Sequence, residues 1–210
     1  MFDPTNRRQF LNMALLFEGS LAVLALLIGW LVDVDPLRWF SWNWLAVARG
    51  LLATVPLFAL FVLSYRFAVG PLWRIKRFLV EALGPPLAAC RWYELLLIAV
   101  LAGSCEEILF RGLFQQWFLP SGRWTALIGS NLLFGLAHCV TPLYALLAGS
   151  IGCYLGILLE TTDPPNLLVP IVTHTVYDFF AFLVVVRTFR NEQANAIPTN
   201  MTESETPAHP

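Results

Sequence analysis

Six runs of nearly unbroken apolar residues constrain this chain more than any other feature: 10–32, 44–65, 93–118, 124–139, 143–159 and 167–186. A bilayer core about 30 Å thick is crossed by about 20 apolar residues in an α-helix. The fourth and fifth runs fall short of that length. None alternates polar with apolar residues as a membrane strand would. A water-soluble domain is excluded by charge. Of 210 residues, 58% are hydrophobic and 13% charged, against about 25% charged in soluble chains. The expected fold is all-α: a polytopic membrane helix bundle of about six transmembrane helices. The expected division has three parts. Residues 1–91 hold two spans and a basic loop, 92–190 form the core, and 191–210 are a polar, disordered tail.

The net charge of −1 gives no general attraction to nucleic acid, so no such partner is expected. The lipid bilayer is the expected surrounding. Basic residues set its sidedness. Arg7, Arg8, Arg66, Arg74, Lys76, Arg77, Arg91, Arg187 and Arg190 lie on one side of the six runs. Arg38, Arg49 and Arg123 lie on the other, among Asp33, Asp35, Glu160 and Asp163. Six spans in the cell membrane with both termini cytoplasmic follow from this bias. Residues 71–83 mix apolar with basic side chains and read either as an interfacial amphipathic helix or as a basic loop. The opening N-R-R-Q-F-L resembles a twin-arginine export signal, but no small-residue cleavage site follows, so an uncleaved first helix is expected.

Several features read as packing. Cys90, Cys105, Cys139 and Cys153 have no metal-ligand spacing and read as small buried hydrophobes. Ala148, Gly152 and Gly156, four apart, form a stripe that admits a close neighbour. His209 and the sequon at Asn200 fall in the tail and are expected to be inert.

The chemistry lies in residues that oil should exclude. Glu106, Glu107, Arg111, His138, His174 and Asp178 all fall inside or at the ends of apolar runs. A charge at a span centre costs about 2.5–3.5 kcal/mol, and a strongly apolar residue contributes about 0.3–0.6 in compensation. Glu106, Glu107 and Arg111 together could cost about 9 kcal/mol, against about 5 from the apolar residues of their run. Polar partners on other helices are therefore required. Glu107 and Arg111 share a helix face and can pair; Glu106 points about 100° away. Phe134 with His138, and His174 with Asp178, repeat the four-residue interval.

In order, E-E-I-L-F-R at 106–111, F-G-L-A-H at 134–138 and H-T-V-Y-D at 174–178 resemble the three motifs of the CPBP (CAAX-processing and bacteriocin-processing, Abi) family of intramembrane proteases. The resemblance covers roughly residues 92–186. It implies a peptide or membrane-protein substrate, with a prenylated C-terminus in the CAAX-processing branch. It also implies that Glu106 and His138 act on the water and that His174 and Asp178 act on the oxyanion. The residues support the same roles, since amide hydrolysis needs a base, an oxyanion donor and a proton for the leaving amine. Glu107, Arg111 and Phe134 then act as support. The CAAX branch usually has Asn where this chain has Asp178. An ionised Asp cannot donate to an oxyanion, so Asp178 could instead orient His174 or bind a metal.

Two histidines and two carboxylates also form a zinc-like donor set, so Glu106, His138, His174 and Asp178 are alternatively ligands of a divalent metal. The H-E-x-x-H spacing is missing. Two non-proteolytic readings stand beside the protease: a scaffold or immunity protein of the same fold, and a proton-coupled carrier, for which no inverted repeat is visible. Straight-helix arithmetic sets His138 about 10 Å below Glu106 in depth. Glu94 is expected at the interface, and Glu18 has no assigned role beyond a polar contact in the bundle.

Overall fold

The computed structural model describes residues 6–196. Among them there are helices and no strand. Helix α1 (Arg7–Val32) and helix α2 (Trp44–Arg66) open the chain. The short α3 (Pro71–Phe78) passes through a π-helical turn, Leu79–Leu83, into α4 (Gly84–Ala89). Helix α5 (Trp92–Glu107) continues as a π-helix, Ile108–Gln115, and ends in the single turn α6 (Gln116–Phe118). Helices α7 (Arg123–Ala137), α8 (Pro142–Leu159) and α9 (Leu168–Ala196) complete the bundle.

All six expected runs are helical, but they are not equivalent. By length and composition, α1, α2, α8 and α9 can cross a membrane. The other two carry the polar residues. Residues 92–118 change from α to π midway, and α7 has 15 residues, a rise of about 22 Å. Large apolar side chains such as Leu16, Trp30, Trp44 and Leu52 face outward. So much exposed apolar surface belongs in lipid, and the chain is a membrane helix bundle.

One open reading is decided and two details differ. Of the helix and the loop expected over 71–83, residues 71–78 form a helix, with Leu72 and Ile75 turned inward toward the bundle. Order does not end at residue 190. Helix α9 runs on to Ala196, its polar end held by Arg77–Glu192 at 3.0 Å and by Arg190 donating to the Ala88 carbonyl at 3.0 Å. The remaining tail, with Asn200 and His209, lies outside the described residues. Cys139 is exposed just beyond α7 and Cys153 is half-buried on α8, whereas Cys90 and Cys105 are buried.

Helices α1 and α5 run parallel, in register. Arg7 Nε meets Glu94 Oε1 at 3.5 Å. Phe10, Leu11 and Ala14 pack with Leu95 and Ile98. Leu21, Ala25 and Ile28 pack with Leu109, Phe110 and Leu113. Glu94 is buried in the first turn of α5, and its Oε2 caps that helix by accepting from the Arg91 N–H at 2.7 Å.

The small-residue stripe of α8 has a definite partner. Arg111 Nη2 donates to the Gly152 carbonyl at 2.8 Å, and Gln115 Nε2 to the Gly156 carbonyl at 3.2 Å. Two polar side chains one turn apart thus reach two carbonyls one turn apart. A Cβ on Gly152 would fall on Asn131 Oδ1 and lie 3.0 Å from Arg111 Nη2. Gly152→Val is therefore expected to destabilise the bundle by about 3 kcal/mol, through overpacking and loss of these bonds. Thermal unfolding in detergent measures it; an unchanged melting temperature would show that α8 can move aside freely.

Candidate active site

Three elements deliver the polar residues to one place. Arg111, from the π-helical stretch after α5, is wholly buried, as is Glu107. Arg111 Nη1 donates to Glu107 Oε1 at 2.9 Å, and Nη2 donates to Asn131 Oδ1 at 3.0 Å. The same Glu107 oxygen accepts from His174 Nδ1 on α9 at 2.8 Å. Glu107 thus joins a helix-turn cation to an imidazole across the bundle. A π-helical turn carries one more residue than an α turn, and such insertions are common where side chains must be re-aimed for function.

His174 is held at both ends. Its Nε2 lies 3.5 Å from Asp178 Oδ2, one turn further along α9. Both ring nitrogens therefore face carboxylates and both can donate. Of the alternatives for Asp178, this contact fits orienting His174.

His138 caps the end of α7. Its Nδ1 lies 2.9 Å from the Phe134 carbonyl, which can only accept, so Nδ1 carries the proton. The other nitrogen, Nε2, faces Glu106 Oε2 at 3.8 Å. That Glu106 oxygen is buried and has no hydrogen-bond partner within the protein. The depth gap between Glu106 and His138 has closed. Straight-helix counting treats 124–139 as a span of its own, whereas α7 is a short return arm that starts after the extra turns at 116–121 and ends beside the π-helix.

Phe134 underlies the cluster. Its ring stacks on His138 at 4.5 Å between centres, meets His174 edge-on at 6.2 Å and supports the Arg111 guanidinium at 4.6 Å. Such a ring both packs and attracts the cation through its π face.

A cavity of about 550 Å³ opens from this cluster between α2, α3, α8 and α9. His138, His174 and Asp178 line one end. A ladder of rings leads away, Tyr177 to Phe61 at 5.8 Å and Phe61 to Tyr65 at 5.3 Å. Lys76 Nζ stands 4.6 Å from the Tyr65 ring centre at the far end. Leu57, Leu60, Ile151 and Phe182 make the walls apolar.

Among the described residues no three His, Cys, Asp or Glu side chains are gathered into a group that could hold a metal ion. The Nδ1 atoms of His138 and His174 are engaged by Phe134 and Glu107, which leaves each Nε2 toward a carboxylate.

Sequence reasoning missed Asn131 and Gln115, both buried and both in the polar network. Asn131 precedes Phe134 by three and His138 by seven, so helical spacing alone could have placed it on their face. Gln115 follows Arg111 by four, but the π turn that aims it leaves no such pattern.

Fold and site define a membrane-embedded helix bundle with a shielded acid–base cluster at the end of an apolar cavity. Residues 87–180 match the family model described as type II CAAX prenyl endopeptidase Rce1-like. This stretch of the chain is similar to that family, the likeness to which its three motifs pointed, and the similarity supports a protease in general. No curated protein and no solved structure matches the chain.

Proposed function

We propose that the chain is an intramembrane endopeptidase that cleaves near the C-terminus of a prenylated peptide, using a water held between Glu106 and His138. The observation that carries the reading is the approach of Glu106 Oε2 to His138 Nε2 at 3.8 Å. That is too long for a direct hydrogen bond, and one water about 2.8 Å from each sits to the side of the line between them. Glu106 takes a proton from the water as its oxygen bonds to the scissile carbonyl carbon. His138 Nε2 accepts the water's second hydrogen bond. His174 Nε2–H turns from Asp178 to the new oxyanion, while Glu107 holds the ring by Nδ1. When the C–N bond breaks, the departing amine takes the proton from Glu106. The apolar cavity receives the substrate's hydrophobic part. Both termini face the cytoplasm of the cell membrane in this reading, following the arginine bias; membrane-impermeant labelling of terminal cysteine tags checks it.

The test uses the full chain in nanodiscs with a fluorescent farnesylated peptide ending in a CAAX sequence, read by mass spectrometry. The wild type is expected to release the C-terminal tripeptide. His138→Ala is expected to reduce kcat about 100-fold. No step above runs through a metal, so exhaustive dialysis against EDTA is expected to leave the rate unchanged. Loss of activity on dialysis, restored by zinc, would replace this mechanism with a metal-assisted one. Cleavage by neither wild type nor variant would favour the scaffold reading.

A further inference from the structure

Glu18 is a carboxyl group that the reaction as written does not use. It sits on α1, outside the family-matched segment, and is buried; its Oε2 has no hydrogen-bond partner within the protein. The register of α1 against α5 gives its height. Arg7 lies beside Glu94, Ala14 packs with the Ile98 cluster, and Leu21 with the Phe110 cluster. Parallel helices of equal rise keep one offset, and that offset carries Glu18 to the level of Cys105 and Glu106. The groups whose fields reach it are Glu106 and Cys105 from α5 and His174 and Asp178 from α9.

We propose that Glu18 is a positioning residue of the hydrolytic cluster: a protonated carboxyl on α1 that hydrogen-bonds Glu106 from behind, directly or through one water. Two ionised carboxylates cannot sit together in a low-dielectric interior, whereas one that keeps its proton donates to the other and fixes it. Arg111, the fixed cation of the cluster, is spent on Glu107 and the α7–α8 carbonyl and amide groups. The remaining means of steadying the Glu106 carboxylate is a neutral donor, and Glu18 is placed to be one. This inference rests on the reading of Glu106 as base.

The experiment compares Glu18→Gln and Glu18→Leu with wild type on the same farnesylated peptide, together with thermal unfolding and infrared spectra of the carboxyl C=O stretch. Gln keeps a donor and is expected to hold kcat within about threefold. Leu removes it and is expected to lower kcat about 30- to 100-fold, with KM unchanged, because the base is left free to move. A purely structural carboxyl would take stability with it. Here Glu18→Leu is expected to unfold close to the wild-type temperature, since loss of the bond to Glu106 is offset by removal of a buried carboxyl with an unpaired oxygen. The protonated-carboxyl band is expected in wild type and in Glu106→Gln at neutral pH, and missing in both Glu18 variants. A Glu18→Leu enzyme with kcat within threefold of wild type, or with stability lost alongside activity, overturns the proposal. So does a band that survives Glu18→Gln. The spectrum needs no turnover, so it judges Glu18 even where failure of the peptide assay sinks the protease mechanism itself.

Discussion

Glu106→Gln is expected to lower kcat on a farnesylated CAAX peptide about 1,000-fold, with KM close to wild type. The amide is nearly isosteric with the carboxyl group, so packing at the site survives. What disappears is the group that receives the water's proton, and general bases of this kind contribute about 10²–10⁴ in rate. A thousandfold loss corresponds to about 4 kcal/mol of transition-state stabilisation. The variant should unfold close to wild type, because the amide keeps a carbonyl oxygen that can accept from Glu18 and Glu106 Oε2 has no hydrogen-bond partner within the protein. Steady-state kinetics and thermal unfolding on the same preparation check both parts. A variant retaining a tenth or more of wild-type kcat would remove Glu106 from the role of base.

Arg111→Ala is expected to cost about 3–5 kcal/mol of stability and to abolish activity as well. The guanidinium and Glu107 are both fully shielded from solvent and 2.9 Å apart. Removing the cation leaves a buried carboxylate uncompensated, and three helix contacts go with it: Glu107, Asn131 and the Gly152 carbonyl. Activity falls because Glu107 also holds His174. The double variant Glu107→Gln, Arg111→Met is expected to be more stable than Arg111→Ala alone. Its apolar and neutral replacements leave no unpaired charge, so the two changes are far from additive. Denaturation in detergent measures the order. A double variant less stable than the single one would show that the ion pair itself, rather than avoidance of a lone charge, holds these helices.

Much of the protein was legible in order along the chain. Apolar runs of spanning length required helices in lipid, because only helices and closed barrels satisfy every backbone group there. The six polar residues stood out because their cost in oil demanded partners. Four-residue intervals paired Phe134 with His138 and His174 with Asp178 on shared faces. Glu94 and Glu18 were visible too, but their roles were not. A cap depends on where the helix begins, and Glu18 has meaning only against the neighbouring helix.

The sequence by itself determined that this is a bilayer-embedded bundle whose second half carries an acid–base set, since composition, run length and local spacing are properties of the chain alone. Only the tertiary structure decided which atoms meet. Glu107, already paired with Arg111 by helical spacing, also takes His174 from across the bundle, and the short α7 lifts His138 to Glu106. The π turn brings Arg111 and Gln115 onto the carbonyls of α8. Those outcomes depend on helix rotation, register and a change of winding. Each is set by packing between segments far apart in sequence, where no local pattern records it.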